Sequence, residues 1–281
     1  MNDAAVTLPR ISVVTPCFNG ERFLEDCMRS VLDAKYPNLE YIVIDGGSTD
    51  RSVEVIRKYE GHLAYWHSRP DGGQAQAINL GLARATGDVL AYLNADDRYC
   101  PGTLDGVATL FREHPDINVV FGDAVFTDES GRTTARYAGV DRPFAEKILY
   151  WRGWPIPQPT VFLRRSVVDA HGVLDESFSY ALDYDWFLRI ARTERFHHTG
   201  AVLAEYRLRG DSKTGVWPKT RWRFHEECAR AVRKHLHPGR PLYWYWWGSY
   251  LIDSVRPPRG WGRRVRRRGA AWLTRAKAAW R

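Results

Sequence analysis

The segment LNADDRY, residues 93–99, ends an apolar run with two adjacent carboxylates, Asp96 and Asp97. Like charges on neighbouring residues repel, so the pair needs a compensating charge. A helix N-terminus offers one through its free N–H groups and macrodipole, and Pro101 and Gly102 allow the turn it requires. A hard divalent cation, bound through oxygen, offers another. A second acidic pair, Asp183 and Asp185, opens the helix-spaced segment DYDWFLRIAR. A carboxylate there can mark a helix start or act as a general base that takes a proton from a hydroxyl.

The surrounding elements decide between these explanations. ISVVTP (11–16) and LEYIVID (39–45) are continuous apolar runs of strand length, as a parallel sheet covered on both faces requires. Between them Phe23, Leu24, Cys27, Val31 and Leu32 recur at helical spacing. The unit repeats with a helix over about 51–60, strand HLAYWHS (62–68), a helix over about 74–85 and strand DVLAYLN (88–94). This reads as successive right-handed β-α-β units. INVVFGDAVFTDESGRTTARY (117–137) predicts two strands around a glycine-containing turn, an antiparallel addition to the sheet.

Each of the first four strands is followed by polar or acidic residues: Thr15-Pro16 with Asn19-Gly20, DGGSTD (45–50), RPDGG (69–73) and NADD (94–97). In a parallel sheet these carboxyl ends share one edge, where open α/β folds bind ligands. Taken singly, each has an ordinary explanation. Ser48 or Thr49 could cap a helix with Asp50 in its first turn, and PDGG could be a simple turn. Four at one edge point to a single binding site.

Together, TPCFNG, VIDGGSTDRS, SRPDGGQAQAINLGLARATGD and LNADD resemble the inverting family 2 glycosyltransferases of the GT-A fold, over residues from about 10 to 215. The resemblance implies an α/β, Rossmann-like, mostly parallel sheet flanked by helices. A nucleotide-sugar half would span about 10–115 and an acceptor half about 116–215. It implies that Thr15 and Pro16 line a nucleobase pocket, that Asp45 binds base or ribose, and that Asp71 lies against the base. Asn94 and Asp96 would meet the rest of the nucleotide, and Asp97, with Asp96, would hold Mn²⁺ or Mg²⁺. The chemistry makes the same demand: a sugar leaving a nucleoside diphosphate develops negative charge that a hard cation stabilises.

Downstream, IPQPTVFLRRSVVDAHGVLDESFSYALDYDWFLRIAR (156–192) resembles the acceptor half of the same family. Asp183 matches the catalytic base, which takes the acceptor hydroxyl's proton as that oxygen attacks the anomeric carbon opposite the diphosphate. Gln158, Asp185 and Arg209 are assigned acceptor or supporting roles, Asp185 also as the helix cap. The sequence departs from the family pattern at four places. Arg69 stands where Glu is frequent, Gln76 where Asp is frequent, Leu182 precedes Asp183 in place of Glu, and Arg209 replaces a His that can join the metal.

Residues 216–281 form a basic, aromatic, helical extension. Residues 1–200 carry 21 Lys or Arg and 28 Asp or Glu, net −7, whereas residues 201–281 carry 20 and 5, net +15. From Trp261, Val265, Trp272, Ala276 and Trp280 share a helical face with basic residues elsewhere, the pattern of a helix lying on an anionic membrane surface. The same pattern also suits a helix packed on its own domain. Residues 240–281 are thus a candidate membrane-docking segment, and the acceptor a glycan or lipid-linked glycan.

At 281 residues with 44% hydrophobic and 26% charged positions, the composition is that of a globular protein with a sizeable core. Cys17, Cys27, Cys100 and Cys228 lack metal-ligand spacing and fit buried thiols in a reducing compartment. MNDAAVTLPRISVV lacks the basic and apolar regions of a signal peptide. The expected location is cytoplasmic, peripheral to the inner face of the membrane. A sugar nucleotidyltransferase would want a glycine-rich, lysine-bearing phosphate loop after the first strand, and none is present. The +15 region with its aromatics suggests nucleic-acid binding, but the acidic strand-end cluster argues against it, so no nucleic-acid partner is expected.

Overall fold

The computed structural model describes residues 8–149, 155–213, 217–236, 239 and 241–255. Strands β1 (Ile11–Cys17), β2 (Leu39–Asp45), β3 (Tyr65–Ser68) and β4 (Val89–Tyr92) alternate with helices α1 (Leu24–Leu32), α2 (Ser52–Lys58) and α3 (Gln74–Leu82). β1 pairs in parallel with β2 and β4, and β2 with β3. The continuous apolar runs arise because both faces are covered. Val14, Ile42, Ile44 and Leu90 enter one core cluster, while Ile11, Val13, Val43 and Val89 enter the other. β3 is shorter than its apolar run predicts, because Glu60–His62 form a 3₁₀ turn and the strand begins only at Tyr65.

The chain continues through β5 (Arg98–Tyr99), α4 (Thr103–Glu113), β6 (Val119–Thr127), β7 (Thr133–Tyr137), α5 (Phe144–Lys147), β8 (Phe162–Arg164), α6 (Arg165–His171), α7 (Leu182–Ile190) and β9 (Phe196–Arg207). The strand order is β3-β2-β1-β4-β8-β6-β9-β5, with β7 on β6. β6 and β7 form the antiparallel pair expected from residues 117–137. β8 then runs antiparallel to both β4 and β6, and β9 parallel to β6, so the second half of the sheet is mixed.

α8 (Trp217–His235) and α9 (Pro241–Val255) belong to the basic extension. Cys228, Ala231, Val232, Leu236 and Trp246 join the core cluster that contains Trp186 and Phe187. The change of composition near residue 216 is therefore no break in packing among the described residues. Residues 261–280, where the amphipathic pattern was expected, lie outside the described residues. No helix among the described residues is long and apolar enough to cross a membrane. The four cysteines are free, with Cys17, Cys27 and Cys228 buried.

Candidate active site

β1 has β2 and β3 on one side and β4 on the other. The carboxyl ends of β1 and β4 therefore mark a topological switch point, the general location of ligand sites in open α/β sheets. The loops after β1 and β2 are stitched together there. Asn19 N–H donates to Ser48 Oγ at 2.7 Å, Thr49 N–H to Asn19 Oδ1 at 2.9 Å, Gly20 N–H to Ser52 Oγ at 2.8 Å and Glu21 N–H to Asp50 Oδ2 at 3.0 Å. The Ser-Thr-Asp run thus joins two loops as well as preceding a helix. Of the two glycines before it, Gly47 is required by its φ of +84° and by Pro70 N, 2.9 Å from its Cβ position, whereas a Cβ on Gly46 would lie 2.9 Å from Asp71 Oδ2 and displace that carboxylate.

The strand-end residues differ from the expected arrangement in two respects. Thr15 and Pro16 are buried within β1, which runs on to Cys17. The Thr15 hydroxyl turns inward to Tyr41 OH at 3.0 Å, so neither side chain lines an open pocket. Proline is tolerated because the β4 ladder stops at Val14 and no N–H is needed on that side. What reaches solvent from this loop is Phe18, 66% exposed, and Asn19. Asp45 is fully buried, and its carboxylate accepts from Gly47 N–H at 3.2 Å, Ser48 N–H at 2.9 Å, Ser68 Oγ at 2.6 Å and Ser48 Oγ. Three of those donors meet Oδ2 and one meets Oδ1, so Asp45 holds the loop from beneath. Asp71 lies over Gly46 and accepts Gly73 N–H at 2.7 Å.

Asp96 and Asp97 sit in the turn after β4. Asp97 is 2% exposed, its Oδ1 accepts Arg207 N–H at 3.0 Å, and its Oδ2 lies 3.4 Å from Asn94 Nδ2. Burial and the neighbouring Asp96 charge push the Asp97 carboxyl well above the usual carboxylate range. Burial also raises Asp96, against the opposing pull of Arg209, whose Nε is 3.3 Å from Asp96 Oδ2. Two carboxylates disfavoured by burial and mutual repulsion suit a hard divalent cation. Among the described residues no third His, Cys, Asp or Glu joins them, so a cation held by Asp96 and Asp97 would need further oxygen ligands from outside these side chains.

A polar network supports the pair. Asn94 Nδ2 donates to Gln158 Oε1 at 3.1 Å, Gln158 Nε2 to Tyr92 O at 3.0 Å, and Gln74 Nε2 to Asn94 Oδ1 at 2.8 Å. Lys213 Nζ then bridges Gln74 Oε1 at 2.8 Å and Ser179 O at 2.5 Å, two residues before the N-cap of α7. Gln158 is thereby placed as a support of the acidic turn. Gln76, one of the departures from the family pattern, receives Gly72 N–H at 2.6 Å and donates to Glu176 at 3.1 Å, which fastens the PDGG loop to the second half.

Asp183 lies in the first turn of α7, its Oδ1 accepting Tyr184 N–H at 2.8 Å. Burial pushes its carboxyl up to about 6, although the Tyr184 N–H and the Lys213 charge act the other way. The charges of Asp183 and Asp97 both bear on the buried Tyr92 phenol, which burial first, and then these carboxylates, push upward. The helix-cap role expected for Asp185 is not observed. Its fully buried carboxylate faces α8, accepting from His235 Nε2 at 2.9 Å and Lys234 Nζ at 3.2 Å, because position 185 falls on the core side of α7. The start of α7 is served instead by Glu227, which accepts the N–H groups of Ser179, Tyr180 and Ala181 at 2.7–3.1 Å.

Phe18, Gln74, Arg207 and Lys213 escaped the sequence reading. An aromatic residue in a strand-end loop was a usable signal for Phe18. Gln74, Arg207 and Lys213 act through contacts between distant segments, which spacing does not reveal.

The sheet and its mixed second half define a GT-A fold. The match to Staphylococcus aureus TarS residues 1–349, solved with UDP-GlcNAc, covers 90% of this chain and 74% of that one, at TM-score 0.65 and 18% identity. It also matches the mannosyltransferase PcManGT of Pyrobaculum calidifontis, solved with GDP-Man and Mn²⁺, at TM-score 0.58 and 17% identity, covering 97% of this chain and 87% of that one. Residues 12–172 match the family model for glycosyl transferase family 2. An uncharacterized glycosyltransferase of Mycobacterium tuberculosis is 32% identical over 208 residues, 72% of this chain and 76% of that protein. The chain belongs to glycosyl transferase family 2 and is a glycosyltransferase.

Proposed function

We propose that the enzyme moves a sugar from a nucleoside-diphosphate sugar to an acceptor hydroxyl with inversion at the anomeric carbon. The observation that carries this reading is the hydrogen-bonded path from Asp97 through Asn94, Gln74 and Lys213 to the segment that opens α7. It links a carboxylate pair suited to a cation with the segment that opens α7, whose first turn carries Asp183 and its raised pKa. Phe18 offers a face for a nucleobase. Asp97 and Asp96 would hold Mn²⁺ or Mg²⁺, which when bound supplies counter-charge to the departing diphosphate. Asp183 takes the proton of the acceptor hydroxyl. TarS and PcManGT, solved with UDP-GlcNAc and with GDP-Man and Mn²⁺, support a sugar-nucleotide donor. Thermal shift against a panel of UDP- and GDP-sugars with Mn²⁺ tests the donor, since ligand at a hundred times Kd adds about 2.7 kcal/mol. NMR of the product linkage tests inversion, and retention would reject the single-base mechanism.

The acceptor we propose is a glycan or lipid-linked glycan of cell-surface polysaccharide or lipopolysaccharide assembly, met at an anionic membrane surface. A Mycobacterium bovis relative, 28% identical over 206 residues (70% of this chain, 77% of that one), is named a PGL/p-HBAD biosynthesis glycosyltransferase. On α9, Trp244, Tyr245 and Leu251 are 65%, 48% and 60% exposed, and residues 256–281 that follow carry ten Lys or Arg and no Asp or Glu. Apolar side chains beside basic charge suit a membrane interface, where each basic residue contributes about 1 kcal/mol. Truncation after Pro258 should weaken cosedimentation with anionic vesicles while leaving donor binding intact. Full-length protein that ignores such vesicles at low salt would point to a soluble acceptor.

A further inference from the structure

Two arginines, two positions apart at the end of β9, meet the acidic pair in different ways. Arg207 is 3% exposed, and its guanidinium is spent on fixed partners: Asp96 O at 3.1 Å, Glu129 O at 3.2 Å and Asp26 Oδ2 at 3.0 Å. Arg209 is held more loosely. Its side chain is 21% exposed, with Nε 3.3 Å from Asp96 Oδ2 and 3.2 Å from Asp211 Oδ1. That Nε is buried yet makes no hydrogen bond of good geometry to either carboxylate. A guanidinium set against a carboxylate ordinarily forms a two-pronged, in-plane pair, so Arg209 is kept near Asp96 by charge more than by directed bonding.

The turn that carries it is anchored on both sides. Leu208 N–H donates to Thr127 O at 2.8 Å, Gly210 N–H to Glu129 Oε1 at 3.2 Å, and Lys213 ties the far end to Ser179. The backbone at Arg209 is therefore fixed, and its guanidinium, 5.4 Å from the Phe23 ring, can change partner by rotation about its own side-chain bonds. A part-exposed ion pair is worth little, whereas a divalent cation between two carboxylates is a strong competitor for the same oxygen. The planar fork of a displaced guanidinium then matches phosphate oxygens.

We propose that Arg209 is the protein's own counter-charge for Asp96, that a divalent cation and Arg209 compete for that carboxylate, and that the displaced guanidinium engages the diphosphate of the donor. This rests on the sugar-nucleotide reading above. Competition lowers the metal affinity of the free enzyme, and a guanidinium free to reach the diphosphate retains part of the nucleotide affinity when metal is removed.

Full-length wild type, R209A, R209Q and R209K are compared in two titrations: Mn²⁺ alone, followed by the paramagnetic resonance of free Mn²⁺, and UDP or GDP in EDTA, followed by calorimetry. R209A and R209Q should bind Mn²⁺ about twofold to fivefold more tightly than wild type, and the nucleotide about twofold to fivefold more weakly, as loss of one part-exposed ion pair implies. R209K should stay near wild type for Mn²⁺ and fall between wild type and R209A for the nucleotide, because an ammonium keeps the charge but not the planar fork. Equal or weaker Mn²⁺ binding by R209A and R209Q, or no Mn²⁺ binding by any form, overturns the competition. Unchanged nucleotide affinity in EDTA overturns the hand-over. Sugar-nucleotide binding by wild type is read separately, so failure of the donor assignment is distinguishable from failure of the arginine's role.

Discussion

The backbone N–H of Arg207, the last residue of β9, donates to Asp97 Oδ1 at 3.0 Å across 110 positions of chain. The guanidinium of the same residue holds Asp96 O at 3.1 Å, so one arginine fixes both the carboxylate and the backbone of the acidic turn. The second half of the sheet thus sets the geometry of a site whose carboxylates come from the first half. Lys213 makes the reverse connection, from the turn after β9 to Gln74 at the start of α3. The two halves of the sheet are therefore coupled through short polar contacts.

Asp97→Asn should abolish the Mn²⁺-dependent part of donor binding. The amide keeps the shape and the bond from Arg207 N–H but removes the charge that holds a cation. The expected loss is more than about 10²-fold in Kd with Mn²⁺, with little change in EDTA. Calorimetry in both conditions checks it, and an unaltered Mn²⁺ response would move the metal elsewhere.

Arg207→Met keeps the aliphatic stem over Phe23, whose ring lies 4.5 Å from the guanidinium, and removes its charge and donors. The carbonyls of Asp96 and Glu129 lose their partners. A cost of about 2–4 kcal/mol in unfolding free energy is expected, read as a lower urea midpoint, together with weaker Mn²⁺ binding. A stable variant with normal Mn²⁺ affinity would show that the turn holds its own shape.

Phe18→Ala should leave stability unchanged, because the ring is 66% exposed. It should weaken UDP or GDP binding by about threefold to tenfold, the scale of one aromatic contact, equally with and without Mn²⁺. Phe18→Trp should preserve affinity. Unaltered binding by the alanine variant would place the base elsewhere along the sheet edge.

The parallel half of the fold was legible because its strands are buried on both faces and leave unbroken apolar runs, as in Val13 and Val14, whose side chains enter opposite clusters. β8 left no such trace: three residues, Phe162–Arg164, are too few to carry a period, and tertiary pairing with β4 and β6 makes them a strand. At the site, the acidic pair was visible as local charge. The inward turn of Thr15 was not, since it depends on Tyr41 of a neighbouring strand. Asp185 looked like a cap because of its place in sequence, yet it follows the helical face that meets His235, 50 positions further on.

Asp183 yields a prediction with a sign at each end of the pH scale. Its carboxyl is pushed up from 3.8 to about 6, chiefly by burial. As a base it must be ionised, so kcat/KM should fall tenfold per pH unit below about 6 and level off above it. Asp183→Asn should lose about 10²-fold or more in transfer while keeping donor affinity. Stability should respond in the opposite sense. Below pH 3.8 the group is neutral whether folded or unfolded. Between pH 3.8 and about 6 the unfolded chain ionises this group while the folded state keeps it protonated, so the penalty builds across that window and is complete above about 6. The wild type therefore carries a penalty of up to about 3 kcal/mol at pH 8 that asparagine escapes. The variant should melt a few degrees above wild type at pH 8 and together with it near pH 3.5. A variant that transfers sugar at near wild-type rate would make Asp183 only a helix-start carboxylate, and a melting difference independent of pH would show that its carboxyl is not held up by burial.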